Sequence, residues 1–228
     1  EAIETYRDVN DPAGVARGLY GCASVLRQQG RLDEAEDLLR ESIGITEELG
    51  ITSDLMEGRL GLAEVYRARG ELARARPIYD RHLGWATREG NFEGAIFAHL
   101  GLGMCALIER NLATTHKHAQ EAAAVLDRVP GHWLWATYRL LVASILALQD
   151  DETQTYQWLW SASELGLRDI ADIDVASNLE LLVNVGADHG WTKVVRLAGK
   201  LCLEQYDRLQ HPEQVAAIRE RLKAATAS

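Results

Sequence analysis

The sequence is poor in basic residues and has no long apolar run. It has 24 Lys and Arg against 34 Asp and Glu in 228 residues, which gives a formal net charge of -10. Nucleic acids and anionic membrane surfaces attract positive charge, so neither is expected as a partner. The apolar stretch WATYRLLVASILALQ is interrupted by Arg139 and ends before Asp150. It therefore falls short of the roughly 18 residues of a membrane-spanning helix.

Cysteine is scarce, and the three cysteines are far apart. Cys22, Cys105 and Cys202 all stand among apolar neighbours. An odd number of separated thiols is typical of a reducing compartment, and buried packing is the expected role of each. The opening residues EAIETYRDV lack the basic start and apolar core of a signal peptide. The sequence therefore predicts a cytoplasmic location.

Motifs of catalysis and metal binding are missing as well. His116 and His118 lie two residues apart, on different faces of a helix, and no Cys pair or HExxH motif accompanies them. The carboxylates of Asp33 to Asp37 and Asp150 to Glu152 stand at predicted helix starts, where capping and solvation account for them. No glycine-rich loop follows a strand as in phosphate sites. We therefore expect no enzyme, no metal and no cofactor.

The strongest positive signal is a repeat of forty residues. The segments that begin at Gly18, Gly58 and Ala98 align without gaps. One column of this alignment holds small residues, namely Ala23, Ala63, Gly103, Ala143 and Val183. Small side chains at a fixed position allow two helices to cross at about 8 to 10 Å. The column therefore predicts paired helices that recur along the chain.

Each row of the alignment reads as a helical hairpin. Apolar residues fall three and four apart on both sides of Gly30, Gly70 and Gly190. This is the period of an amphipathic helix, and glycine commonly takes the left-handed conformation that ends one. Rows three and four lack the glycine, and there we expect Asn111 and Asp151 to take the turn conformation.

The first two rows resemble the tetratricopeptide repeat. The first row carries the family's signature spacing at Leu19, Cys22, Ala23, Leu26, Gly30, Leu32, Ala35, Leu39 and Ser42. The second row matches at Leu62, Ala63, Tyr66, Gly70, Leu72, Ala75 and Tyr79, and rows three to five match progressively less. The resemblance implies an all-α, right-handed superhelical solenoid of antiparallel helix pairs. The forty-residue period is similar to the long-helix arrays of bacterial signalling ATPases, transcription activators and kinesin light chains. Repeats of the HEAT or armadillo type, at about 40 to 47 residues, are the alternative fold.

The alignment also sets the expected organisation, which is a single solenoid over residues 1–228. Its repeats are predicted at about 14–50, 54–90, 93–129, 132–169 and 174–210. Residues 1–12 align with the second half of a repeat, so we expect a truncated preceding repeat and a fragment of a longer protein. Residues 212–225 begin with a proline and carry one apolar face, which predicts a C-terminal capping helix.

In tetratricopeptide arrays the first helix of each repeat lines a concave groove, and the resemblance transfers those positions to this chain. The candidate partner-binding residues are Arg17, Tyr20, Arg27, Arg67, Phe97, Leu100, Met104, Leu107 and Leu140. Their apolar members are expected to form an exposed patch that receives a peptide or an amphipathic helix. The arginines are expected to hold an acidic residue or a terminal carboxylate. The alternative is that longer helices bury the apolar face inside the protein.

Repeated glycines and paired tryptophans give two further predictions. Gly21, Gly61 and Gly101 recur inside first helices, where glycine is unfavourable, so a neighbouring helix or a ligand is expected to approach each closely. Trp133 and Trp135 lie two residues apart, as do Trp158 and Trp160, and residues so spaced cannot share a helix face. At least one Trp of each pair is expected to be partly exposed.

The sequence thus predicts a non-catalytic, protein- or peptide-binding module, used for recognition or regulation within a larger cytoplasmic signalling protein. Its partner is expected to be a protein, a peptide or another domain of the same parent protein. Two alternatives remain open. One is a small-molecule sensor that uses the apolar third row and the Trp-rich fourth row. The other is a self-association module that forms a homodimer.

Overall fold

A computed structural model describes residues 2–167 and 171–227, and within these ranges all regular structure is helical. The prediction of an all-α fold is confirmed. Five positions of the predicted solenoid lie outside the described residues, namely Glu1, Arg168, Asp169, Ile170 and Ser228. The chain divides into two compact units, residues 1–105 and residues 106–228. We call them the first unit and the second unit.

Within each unit, helices that are adjacent in the chain pack in pairs, as in a tetratricopeptide-like solenoid. The first unit holds α1 (Ala2–Asp8), α2 (Pro12–Gln28), α3 (Leu32–Leu49), α4 (Thr52–Ala68), α5 (Leu72–Glu89) and most of α6 (Phe92–Ile108). The second unit holds α7 (Leu112–Leu126), α8 (Leu134–Ala147), α9 (Glu152–Glu164), α10 (Ile173–His189), α11 (Thr192–Arg208) and α12 (Pro212–Ala227). The even-numbered helices from α2 to α10 are the first helices of the predicted hairpins.

The turns inside the hairpins are made as predicted where glycine is present. Gly30, Gly70 and Gly190 have φ of 75°, 76° and 73°, in the left-handed region. The prediction for the other two turns is wrong by one residue. Arg110 and Asp150 themselves adopt φ of 58° and 61°.

Asn111 and Asp151 have another role, at the start of the next helix. The Asn111 side chain accepts a hydrogen bond from the backbone N–H of Thr114 at 3.1 Å. Asp151 accepts one from the backbone N–H of Gln154 at 3.0 Å. These side chains satisfy backbone donors at helix N-termini, so capping explains their presence after the turn.

The small-residue column lies in the interior, as predicted. Ala23, Ala63 and Ala143 are fully buried. Side chains at a second position of the repeat connect the two helices of a hairpin by a hydrogen bond or close polar contact. Ser42, Cys202 and the His82 ring each reach the backbone carbonyl 26 residues earlier, with donor–acceptor distances of 2.8, 3.6 and 3.1 Å. These contacts hold the second helix of each of these hairpins against the N-terminal part of the first helix.

The capping helix and two of the cysteines are also where the sequence placed them. Val215 and Ile218 of α12 are buried in the core of the second unit. Cys105 and Cys202 are buried, and burial raises the pKa of the Cys202 thiol. Cys22 is exposed, so the expectation of a buried role is wrong for that residue. Its apolar sequence neighbours lie on other faces of α2.

Candidate functional site

Two of the predicted partner-binding arginines are buried and held by the protein itself. Arg27 and Arg67 are only 6% and 5% exposed. The Arg27 Nε atom forms an ion pair with Glu64 Oε2 at 3.3 Å. The Arg67 Nε–H donates to the Tyr79 hydroxyl at 3.0 Å. Neither guanidinium is presented to an incoming carboxylate, so the expected role of both as an anion anchor is wrong.

Arg17 is exposed, but it also has an acidic neighbour. Its Nη1 lies 3.3 Å from Asp54 Oδ2 on α4. A pair of this kind at the surface contributes little to stability, about 0 to 1 kcal/mol. A partner's carboxylate would have to compete with Asp54 for this guanidinium.

Carboxylates surround Tyr20 and Glu57 on the first helices of the first unit. Burial raises the pKa of the Glu57 carboxyl, and the nearby charges of Glu93, Glu64 and Asp54 raise it further. Burial likewise raises the pKa of Tyr20, with Glu64 and Glu57 adding to the effect. Negative charge is therefore concentrated on α4 and α6 of this surface, whereas the sequence predicted that arginines of α2 and α4 would hold an acidic group here.

We call this surface the first-helix face. It comprises Arg17, Tyr20, Asp54, Glu57, Glu64, Glu93 and Phe97. Phe97 is partly exposed and packs at the edge of a core cluster that contains Leu60 and Tyr66. The face thus combines half-buried aromatic rings with crowded carboxylates.

The expected apolar patch is mostly interior. Leu100, Leu107 and Leu140 are 6%, 6% and 1% exposed. Leu140 belongs to the core cluster of the second unit. The prediction of an exposed patch is therefore wrong for these leucines, and burial inside the protein, the alternative reading, applies to them. Phe97 and Met104 keep part of their surface.

Close approach to the repeated glycines is confirmed at two of three positions. A methyl group on Gly61 would lie 3.0 Å from the Leu39 side chain, and one on Gly101 would overlap the Tyr79 ring. Gly21 has open space around it. The approaching groups belong to α3 and α5, so helix packing accounts for Gly61 and Gly101.

A charged cluster around Glu36 joins α3 to α4. Partial burial opposes ionisation, but hydrogen bonds from Arg40, Arg69 and Tyr66 prevail and lower the pKa of Glu36 to about 2. Arg74 lies over the Tyr66 ring at 3.7 Å and donates to its hydroxyl at 2.6 Å. The sequence pattern predicted only capping and solvation for Glu36. The cluster stabilises the contact between neighbouring hairpins.

The second unit contains a cleft of about 540 Å³ between α7, α8 and α9. We call it the α7–α9 cleft. It is lined by Ala123, Asp127, Trp135, Tyr138, Arg139, Gln157, Trp158 and Ser161. A smaller cleft of about 300 Å³, the α3–α5 cleft, lies in the first unit. It is lined by Arg40, Ile43, Gly44, Glu47, Arg59, Leu62, Ile78 and Arg81.

Aromatic rings form the walls of the α7–α9 cleft. Tyr138 meets Trp135 edge to face at 5.5 Å between ring centroids and meets Trp158 in the same way at 6.1 Å. The outer members of the two Trp pairs, Trp133 and Trp160, are 45% and 50% exposed. The prediction that each pair has a partly exposed member is confirmed. The Trp spacing predicted exposed rings in this row, but no sequence pattern indicated that Asp127 and Arg139 lie beside them.

Other kinds of site are not found in the part of the chain that the structure describes. Among residues 2–167 and 171–227, no group of three or more His, Cys, Asp or Glu side chains is placed to hold a metal ion. No described helix combines the length and apolar character needed to cross a bilayer.

Comparisons with known proteins agree with this architecture. Two family models, each described as "Tetratricopeptide repeat", match residues 23–49 and 60–94. The chain is also similar to the 43 kDa receptor-associated protein of the synapse from Tetronarce californica, at 28% identity over 114 residues. The matched segment covers 50% of this chain and 28% of that relative. Tetratricopeptide repeats are generally non-catalytic protein-interaction modules. The family matches identify tetratricopeptide repeats at residues 23–49 and 60–94, both within the first unit.

Proposed function

We propose that the protein binds a peptide or a segment of another protein along the first-helix face of the first unit. One observation carries the proposal. Partly exposed Phe97 and half-buried Tyr20 lie on the same face as Glu57, whose pKa is raised by burial and raised further by the charges of nearby carboxylates. A surface of rings and crowded carboxylates favours a partner that brings apolar groups and positive charge. Both family matches begin in the first unit, which supports this location.

The partner's charge differs from the one expected from sequence. An acidic partner would need free arginines, but Arg27 and Arg67 are buried in internal contacts. A basic side chain near Glu57 relieves the repulsion from Glu64 and Glu93. The proposed partner is therefore basic and amphipathic.

We propose further that the module is the recognition or regulatory part of a larger cytoplasmic signalling protein. The relative's printed name describes it as receptor-associated, and the match covers 28% of that protein. The partner is then a separate protein or another domain of the same parent.

Selection of short random peptides displayed on phage tests the proposed face. We expect enriched peptides to carry apolar residues together with Lys or Arg. Glu57→Lys should weaken their binding about tenfold or more, because it replaces attraction by repulsion. Glu164→Lys, at the exposed end of α9 in the second unit, is the matched control and should leave affinity unchanged.

Circular dichroism on each variant separates lost binding from lost structure. Enrichment of acidic peptides, or equal effects of Glu57→Lys and Glu164→Lys, would contradict the proposal. Phe97→Asp gives a second check, since the helical content should persist while binding is lost.

Self-association remains a second candidate, and light scattering over a concentration series measures it. Phe97→Asp is the informative variant, because Leu100 is buried and a charge there would disturb the fold. A dimer that is lost in Phe97→Asp would identify a second copy as the partner. The small-molecule alternative finds support in the α7–α9 cleft, which lies in the predicted Trp-rich row.

A further inference from the structure

The two clefts occupy the same place in the repeat, eighty residues apart in sequence. Each lies between two second helices and the first helix between them. Five positions correspond, namely Ile43 with Ala123, Glu47 with Asp127, Arg59 with Arg139, Ile78 with Trp158 and Arg81 with Ser161. The α3–α5 cleft therefore serves as an internal reference for the α7–α9 cleft.

In the α3–α5 cleft the acid is matched by the protein's own base. Arg59 Nη2 lies 2.5 Å from Glu47 Oε1, so the carboxylate already has a guanidinium partner. This pair shows that an acidic side chain at this position of the repeat can pair with a guanidinium group. The cleft is also the smaller of the two and has no aromatic wall.

In the α7–α9 cleft the corresponding arginine has a different partner. Arg139 donates to the Ser161 hydroxyl, and its guanidinium lies 6.0 Å from the centre of the Trp135 ring. Ser161 stands where the other cleft has Arg81. Over the described ranges 2–167 and 171–227, Asp127 forms no ion pair with a basic side chain. The acid at this position thus lacks the guanidinium that its counterpart has.

The position of Asp127 adds to its attraction for a cation. It is the C-cap residue of α7, where the aligned peptide dipoles of the helix already place partial negative charge. The field of the carboxylate reaches the aromatic wall. Burial raises the pKa of Tyr138, and the charge of Asp127 raises it further.

The rings supply the second element of a cation site. Tyr138 and Trp158 are nearly perpendicular, at 86°, and both line the cleft. A guanidinium is planar, stacks on aromatic faces and forms paired hydrogen bonds with a carboxylate. An ammonium group offers neither stacking nor a planar pair of donors, so this cleft suits arginine better than lysine.

We propose that the α7–α9 cleft binds an arginine side chain of a partner protein, with the guanidinium against Tyr138 and Trp158 and paired with Asp127. The site lies on α7, α8 and α9 and is independent of the first-helix face. The incoming arginine takes the position relative to Asp127 that Arg59 takes relative to Glu47.

The test is a titration of the ¹⁵N-labelled chain with acetyl-Gly-Arg-Gly-amide, followed through the indole N–H signals of Trp135 and Trp158. The control peptide carries citrulline, which has nearly the same shape as arginine but no charge. We expect saturable shifts with the arginine peptide and affinity weaker by about fivefold or more with citrulline, since a charged pair is lost. Equal titration by both peptides, or the absence of a saturable shift, would overturn the proposal.

Variants then assign the site. Asp127→Asn should weaken binding of the arginine peptide by about fivefold or more, whereas the matched change Glu47→Gln should leave it unchanged. Trp158→Ile installs the residue found in the other cleft and should also weaken binding. Glu57→Lys should have no effect, so this result does not depend on the first-helix face. An unchanged affinity in Asp127→Asn would refute the pairing, and the wild-type comparison of arginine with citrulline decides the matter even if a variant misfolds.

Discussion

The same column of the repeat is filled by opposite chemistry in the two units. In the first unit it holds Arg27 and Arg67, both buried, with Glu64 and Tyr79 as their partners. In the second unit it holds Ala147, which is fully buried among apolar side chains. The repeat therefore fixes where a side chain lies, but not how that place is filled. At this position the first unit uses polar contacts that are lost if one member is removed, and the second unit uses apolar packing.

The largest effect is expected from removing volume in the second unit. Leu140→Ala deletes a side chain that is 1% exposed in the main core cluster. Substitutions of this kind cost about 2 to 5 kcal/mol of unfolding free energy. Urea unfolding followed by Trp fluorescence measures it, since five of the six Trp residues lie in the second unit. A cost below about 1 kcal/mol would mean that the site collapses easily and that the two units differ less than described.

A smaller effect is expected from removing one polar partner in the first unit. Tyr79→Phe keeps the ring but takes away the hydroxyl that accepts from buried Arg67. Leaving such a donor without its acceptor costs about 1 to 3 kcal/mol. Thermal unfolding of the variant measures the loss, and Tyr6→Phe on the exposed surface of α1 is the control. Equal stability of the two variants would show that the Arg67 contact contributes nothing.

Acid should act on the first unit through His82. Burial lowers the pKa of its ring below the ordinary value of 6.5, although the contact with the Met56 carbonyl raises it in part. The unfolded chain then binds the proton more readily than the folded one. The contribution of the neutral His82 ring to the free energy of unfolding is fully present above about pH 6.5, and it falls as the pH is lowered below that value.

Unfolding free energies measured between neutral and mildly acidic pH test this expectation. His82→Ser introduces serine, which is the residue at the corresponding position of the first hairpin, Ser42. The slope of the unfolding free energy against pH should then become shallower. The slope is the informative quantity, because the smaller side chain also lowers stability at every pH. An unchanged slope would assign the acid sensitivity to other histidines.

The smallest effect is expected where the repeat leaves open space. Gly21→Ala should stabilise by about 0.5 to 1 kcal/mol, since alanine is the better helix former and nothing lies near the added methyl group. Gly101→Ala should destabilise, because the methyl group meets the Tyr79 ring. Melting temperatures of the two variants should therefore move in opposite directions. A gain in both would mean that the Tyr79 ring shifts readily.

Sequence periodicity was sufficient for the elements that depend on local rules. The hairpin glycines and the capping helix follow from residues a few positions apart, and the buried small column follows from the forty-residue period. Each is where it was expected. The partner-binding arginines were misassigned for a different reason. The Arg27 contact with Glu64 joins two hairpins, and no pattern within one row reveals it.

The cleft residues illustrate the same limit. Asp127 and Arg139 come from α7 and α8, and their relation becomes visible only beside the corresponding pair of Glu47 and Arg59. The forty-residue alignment places the two acids in one column and the two arginines in another, but Thr87 and His99 interrupt these columns in the row between them. The aromatic wall was partly foreseen, since Trp spacing alone required exposed rings.

The unequal burial of the cysteines makes the protein suited to site-specific labelling. Cys105 and Cys202 are enclosed, and the thiol of Cys202 is further held in its neutral form by burial. Cys22 is open to solvent on α2. A thiol-reactive fluorophore should therefore attach at one position without any engineered substitution, and it would report on partners that approach the first unit while leaving both clefts unmodified.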